Sequence, residues 1–240
     1  MSDNQYYTRS LDFQKKLKEY VSNIFKTYGR ELVLRIEEYN LLQSKHNCIE
    51  SSTAIGFILE EFIVAKLDMY THCSEEDYII DRHIGATTVD SYDCFSKKDG
   101  NKFLINVKAE RKGSNNNAIA AIKQLYHNYC EDAPEQEKSY VILKIGYSIA
   151  ESYEDDENRR AKPRHIYIDS IKTYCLEEVD LSKEHRQDNR SWSEKGKNSG
   201  KNNGRLMISD KFREEHKMPY KYISYQNTFA QLTNLVETNV

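Results

Sequence analysis

The run KSYVILKIGYSI (138–149) constrains the fold more than any other stretch of the chain. It is almost continuously apolar, the pattern of a strand buried on both faces. Such a strand needs cover above and below, so the chain must build a sheet with helices packed on it. The segments around it supply those parts. DYIIDRHI (77–84), TTVDSYDCF (87–95), KFLINVKAE (102–110) and RHIYIDSIKTY (164–174) are short, rich in β-branched and aromatic residues, and bounded by turn signals, so each reads as a strand. Asp99-Gly100 marks a hairpin between the second and third of these.

Helical spacing appears elsewhere. Leu11, Leu17, Val21, Ile24 and Phe25 recur at it, as do Leu32, Leu34, Ile36 and Leu41, so 10–45 reads as two helices parted by Gly29. A helix is expected over about 53–69, capped by Ser51 to Thr53, with Ile55, Ile58, Leu59, Phe62 and Ile63 on one apolar face. AIAAIKQLYHNY (118–129) reads as a helix after the Gly113 and asparagine break, and YISYQNTFAQLTNLVE (222–237) as a final one. The order of helix, three strands, helix, strand and strand predicts a mixed α/β sheet flanked by helices. From about 182 the chain turns polar and rich in Gly and Asn, and 195–205 holds Lys195, Lys197, Lys201 and Arg205 without an acid after Glu194. A loop of that length is of the kind that carries function or remains disordered.

Composition narrows the function classes. A chain of 240 residues with 38% hydrophobic and 30% charged residues can bury a full core. No apolar run approaches the roughly 18 residues of a membrane span, and the N-terminal stretch lacks an apolar secretion core. Cys48, Cys73, Cys94, Cys130 and Cys175 are dispersed without a CxxC, which points to reduced thiols in a cytoplasmic protein. The seven histidines show no HxH or HExxH spacing, and GxGxxG, GxxxxGK(S/T) and GxSxG are all absent. Zinc-hydrolase, nucleotide-binding and serine-hydrolase readings therefore find no support.

The chemistry gathers around VDSYDCFSKKDGNKFLINVKAER (89–111). Alternate residues of a strand share a face, so Leu104, Asn106, Lys108 and Glu110 point one way and Ile105, Val107 and Ala109 the other. The second face is core, whereas the first turns polar toward its C-terminal end. Paired strands lie about 5 Å apart, which brings Asp93 across the hairpin toward Asn106 and Lys108. One carboxylate, one amide oxygen and one ammonium suit a hard cation such as Mg²⁺ beside a phosphate. Asp90 is the rival to Asp93, because a one-residue bulge would exchange them.

An aspartate, a hairpin and a strand ending in (D/E)-x-K resemble the core motif of the PD-(D/E)xK nucleases, known best from type II restriction endonucleases. The matching positions are Asp93 and Asn106-Val107-Lys108, and the resemblance covers roughly residues 50–170. The family's preceding helix often carries an inward Glu; GFILEEFI offers Glu60 or Glu61, with Gly56-x-x-x-Glu60 favouring Glu60. Two positions depart from the pattern: Tyr92 stands where Pro is common, and Asn106 where Asp or Glu is usual. By this likeness an Asp at 106 would restore the common ligand set and keep or raise activity at low Mg²⁺.

The resemblance implies one restriction-endonuclease-like domain over 1–240, with N-terminal helices over 10–50, a catalytic core over 51–175 and a basic DNA-contacting region over 182–220. It implies a Mg²⁺-dependent, site-specific endonuclease acting on double-stranded DNA as a homodimer. Asp93, Asn106 and Glu60 would hold the metal and Lys108 would act beside them. Lys195, Lys197, Lys201 and Arg205 would neutralise phosphates, and Arg186, Gln187, Arg190 and Asn203 carry groups suited to base edges. The alternative is a DNA-binding protein on the same fold whose metal site has decayed, with Asn106 as the sign of decay.

Overall fold

The structure is a computed structural model and describes residues 3–34, 52–83, 91–113, 118–132, 136–151, 164–183, 185–187 and 204–237. Six strands form one mixed sheet: β1 (Glu31–Leu34), β2 (Ile80–Arg82), β3 (Cys94–Lys98), β4 (Asn101–Arg111), β6 (Lys138–Glu151) and β7 (Arg164–Cys175). Their order is β1-β7-β6-β4-β3-β2. Among the described strands of this sheet only β4 and β6 run parallel, in the register Leu104↔Tyr140 and Asn106↔Ile142. A second sheet has three strands, β5 (Ala118–Ala121), β9 (Arg205–Met207) and β8 (His185–Gln187), in that order.

Strand β6 is covered on both faces, as its composition demands. Val141, Leu143 and Ile145 join one core beneath α1 (Asp3–Tyr28) and α2 (Ser52–Cys73). Tyr140 and Ile142 join the other, beneath α3 (Ile122–Tyr126) and α5 (Tyr225–Glu237). Helix α1 turns Phe13, Leu17, Val21 and Ile24 to the first core, a spacing that lays one stripe along the helix. Helix α2 does the same with Ile55, Leu59, Ile63 and Leu67. The tight turn between β3 and β4 holds Asp99 at φ 50° and Gly100 at φ 79°. Both positive values are those of the Asp-Gly hairpin turn, whose twist matches the strands it joins.

Several elements differ from the expectation. Leu32 and Leu34 lie in β1, paired antiparallel with β7, because the sheet edge supplies hydrogen bonds that outweigh a weak helical period. The strand expected over 87–95 begins only at Cys94: Ser91 to Asp93 form a bend, and 84–90 lie outside the described residues. Ala118–Ala121 is strand rather than helix, because β9 offers it a ladder before α3 starts. A π-helical turn (His127–Glu131) extends α3. Ile58, expected on the buried face of α2, is 48% exposed, as is its neighbour Phe57 at 57%. Strands β8 and β9 and helix α4 (Asp210–Glu215) arise in the polar region that carries no strong periodicity. Residues 35–50, where the second N-terminal helix was expected, lie outside the described residues. No helix among the described residues is long and apolar enough to cross a membrane.

Candidate active site

The site forms where the sheet opens. Strands β3 and β4 pair from the hairpin up to Cys94↔Ile105. One more bond, from Asp93 N–H to the Ile105 carbonyl at 2.8 Å, closes the ladder. Beyond it β4 continues to Arg111 alongside β6, and among the described residues its other edge has no strand partner. Unpaired strand N–H groups need acceptors. Side chains provide them: Val107 N–H donates to Asp93 Oδ2 at 2.7 Å, and Ala109 N–H donates to Glu60 Oε1 at 2.8 Å. Two carboxylates are thus fixed on successive outward N–H groups of one strand edge. Lys108 lies between them in sequence, and its Nζ is 3.7 Å from Glu60 Oε2. The Lys108 and Glu60 side chains are 25% and 22% exposed, so solvent reaches the pair.

Burial raises the pKa of both Glu60 and Asp93, against the pull of the Lys108 ammonium and the backbone N–H that each accepts. Two carboxylates that burial disfavours as anions, set beside one cation, form a site short of positive charge. Of the two glutamates, Glu61 turns away to an ion pair with Arg82. Asp90 lies outside the described residues.

Asn106 follows the expected parity but meets a different environment. It is 2% exposed, on the face of Leu104 and Tyr140. Its Nδ2, with two protons to donate, lies 2.5 Å from the Ser91 carbonyl, 3.0 Å from the Ile119 carbonyl and 2.7 Å from the Tyr140 hydroxyl. Its Oδ1 is buried and has no hydrogen-bond partner among the described residues. The two carbonyls fix which end of the amide faces them, since only the nitrogen can donate. An aspartate here would set an anion against two carbonyl oxygens, so the expected gain from Asp at 106 gives way to an expected loss.

Glu110 is engaged elsewhere. Its Oε2 lies 3.1 Å from the Nζ of buried Lys144, which also pairs with Asp210 Oδ1 at 3.1 Å. Burial works against ionisation of Asp210, but Lys144, with hydrogen bonds from Lys172 and Tyr220, outweighs it and brings the pKa down to about 2. A second group with metal-ligating atoms, Asp68, His72 and Asp81, sits toward the other end of α2. There the imidazole bridges the carboxylates, 3.1 Å from Asp68 Oδ1 and 3.4 Å from Asp81 Oδ1.

Of the residues expected to contact DNA, Arg186 and Gln187 lie on β8, and exposed Arg205 lies on β9 opposite Gln187. Arg190, Lys195, Lys197, Lys201 and Asn203 lie outside the described residues. Ser91, Asn128 and Tyr140 escaped the sequence reading, although Asn128 Nδ2 donates to Ser91 Oγ at 2.9 Å and the Tyr140 hydroxyl donates to the Ser91 carbonyl. The parity of β6 puts Tyr140 on a face but does not set the β4/β6 register, so no local signal marks it.

No protein-family model and no curated protein sequence matches the chain. Among solved structures it is similar to the NlaIV restriction endonuclease, with a TM-score of 0.50 and 14% identity over 94% of this chain and 87% of that one. The mixed six-stranded sheet, its flanking helices and this likeness make the fold restriction-endonuclease-like.

Proposed function

We propose that the chain is a Mg²⁺-dependent endonuclease of the type II restriction kind, hydrolysing phosphodiester bonds of double-stranded DNA at a specific short sequence. One observation carries the reading. Asp93 and Glu60 are held by the Val107 and Ala109 N–H groups at the open edge of β4, with Lys108 beside them, on a restriction-endonuclease-like fold. The donor set fits a hard divalent cation: two carboxylates and, in Asn106 Oδ1, a buried amide oxygen with no hydrogen-bond partner among the described residues. Asp93, Glu60 and Asn106 would hold the ion, which when bound supplies Lewis acidity and a more acidic water.

The protein's own groups do the rest. The backbone N–H donors fix both carboxylates before substrate arrives, so little reorganisation remains for the reaction. Lys108 keeps a cation at the solvent-reached side of Glu60. From there it orients the attacking water and offsets the negative charge that builds on the phosphate. Arg205, Arg186 and Gln187, with Arg190, Lys195, Lys197, Lys201 and Asn203, form the proposed DNA-contacting set. Lys195, Lys197, Lys201 and Arg205 would contact phosphates, and Arg186, Gln187, Arg190 and Asn203 would contact base edges. Two copies related by a two-fold axis would present one site to each strand of a palindrome.

Digestion of phage DNA by the purified protein with Mg²⁺ tests the reading. Discrete fragments are expected, and intact DNA across a range of Mg²⁺ and Mn²⁺ concentrations would overturn it. One observation favours a second reading: Asn106 stands where the family carries a carboxylate, and its amide nitrogen is committed to structure. A DNA-binding protein with a decayed site would retard duplex DNA in a gel without cutting it.

A further inference from the structure

We propose that Tyr140 is a positioning residue for the Asp93 site, acting through the Ser91 carbonyl and the Asn106 amide. The inference rests on the reading of Asp93 as a site residue. Tyr140 is wholly buried in the middle of the sheet and touches neither Glu60 nor Lys108 through any hydrogen bond. A buried tyrosine hydroxyl needs a polar partner. This one donates to the Ser91 carbonyl and lies 2.7 Å from Asn106 Nδ2, whose two protons are shared among three acceptors. Asn106 Nδ2 reaches the same Ser91 carbonyl at 2.5 Å, and Asn128 Nδ2 holds the Ser91 hydroxyl at 2.9 Å.

Three side chains from β4, β6 and the π-helical turn thus converge on one residue, two positions before Asp93 and just outside the β3 ladder. Regular pairing of β3 and β4 ends at Cys94; Asp93 keeps its N–H on the Ile105 carbonyl and its own carbonyl on the His83 N–H, and the three side chains hold Ser91 at the start of the bend. The Asn106 amide also donates to the Ile119 carbonyl of β5 at 3.0 Å. The bend that carries Asp93 and the small sheet that carries Arg205 therefore share one amide. Tyr140 braces that amide: its oxygen lies 2.7 Å from Asn106 Nδ2, and its proton goes to the Ser91 carbonyl that the amide also reaches.

Tyr140→Phe removes the hydroxyl and leaves the ring in the core. Tyr129→Phe is the control: Tyr129 lies in the same core, and its buried hydroxyl donates to Glu177, away from the site. Two readouts separate positioning from stability. In plasmid cleavage, Tyr140→Phe is expected to raise the Mg²⁺ concentration for half-maximal rate by roughly ten-fold, the size seen when a group behind a metal ligand is lost. Tyr129→Phe should lower the melting temperature and leave that concentration unchanged. In metal-free protein without DNA, hydrogen exchange by mass spectrometry should show the 91–93 segment opening faster in Tyr140→Phe and unchanged in Tyr129→Phe.

Wild-type Mg²⁺ dependence together with wild-type exchange at 91–93 in folded Tyr140→Phe would overturn the proposal. So would equal effects of the two substitutions. If the wild-type protein cuts no DNA, the nuclease reading fails, and the exchange measurement still decides whether Tyr140 positions the Asp93 bend.

Discussion

Glu60 and Asp93 lie at the open edge of β4, and Glu177 lies where β7 runs into a 3₁₀ turn (Leu176–Glu178); burial raises the proton affinity of all three. Their surroundings differ. Glu177 is 0% exposed, and its Oε1 accepts from the Tyr6 hydroxyl at 2.5 Å and from the Tyr129 hydroxyl. Its neighbour Glu178 accepts from Gln14 Nε2 at 3.0 Å and from Cys175 N–H at 2.8 Å. All these donors are neutral, and those from α1 pin that helix to the end of β7. At Glu60 the partners are a strand N–H and an ammonium, with solvent in reach. Desolvation of a carboxylate alone therefore does not distinguish a site from a strut. A cation beside it, an open strand edge and a path to solvent do.

Breaking each cluster should give a different readout. Lys108→Ala and Asp93→Ala are expected to lower single-turnover cleavage by roughly 10³-fold, the scale of losing one preorganised electrostatic group, with circular dichroism unchanged. Near-normal turnover in folded Asp93→Ala would move the ligand assignment to Asp90. At the other cluster, Glu177→Ala leaves the Tyr129 hydroxyl short of an acceptor inside the core, whereas the Tyr6 hydroxyl keeps the Lys138 carbonyl. A loss of about 2 kcal/mol in urea denaturation is expected, within the typical 1–3 kcal/mol for one stranded group. The half-maximal Mg²⁺ concentration for cleavage should not move; if it does, the two clusters are coupled and the contrast drawn here is wrong.

A milder change probes the boundary between strut and site. Asn106→Asp is expected to cost about 2 kcal/mol in stability and to reduce cleavage, because a carboxylate cannot donate to the Ser91 and Ile119 carbonyls. Activity at or above wild type at low Mg²⁺ would mean that Asn106 acts as a simple weak ligand, as the family likeness first implied.

The smallest expected effect is on pH dependence. Folding raises the pKa of Glu60 and Asp93, so their protonated forms add stability below the unfolded carboxylate value of about 4. That contribution is lost as pH rises through the raised values. A divalent cation needs the ionised forms. The rise in melting temperature on adding Mg²⁺ should therefore be slight near pH 4 and grow as pH climbs past the raised values. Differential scanning fluorimetry with and without Mg²⁺ across this range measures it, and a pH-independent shift would detach these carboxylates from metal binding.

Local pattern alone specified the double burial of β6, the alternation of Leu104, Asn106 and Lys108 against Ile105, Val107 and Ala109, and the Asp99-Gly100 turn. Each follows from side-chain period or from a turn that demands positive φ, and both are properties of a few consecutive residues. Asp93 and Lys108 were likewise legible as polar groups on paired strands, whereas a glutamate from α2 was legible only through the family likeness. Pairing partners were not legible, because a ladder can override a weak period: Leu32 and Leu34 became strand on meeting β7, and Ala118–Ala121 became strand on meeting β9. Which glutamate faces the site was decided by the pose of α2, which gives Ala109 N–H to Glu60 and Arg82 to Glu61. Asn106 shows the limit most sharply. Its sequence neighbours say that it lies on a polar-going face, yet its partners stand 13, 15 and 34 residues away. Two of those partners are backbone carbonyls, groups that every residue carries and that no residue letter can mark, so only the folded chain determines that an amide rather than a carboxylate fits there.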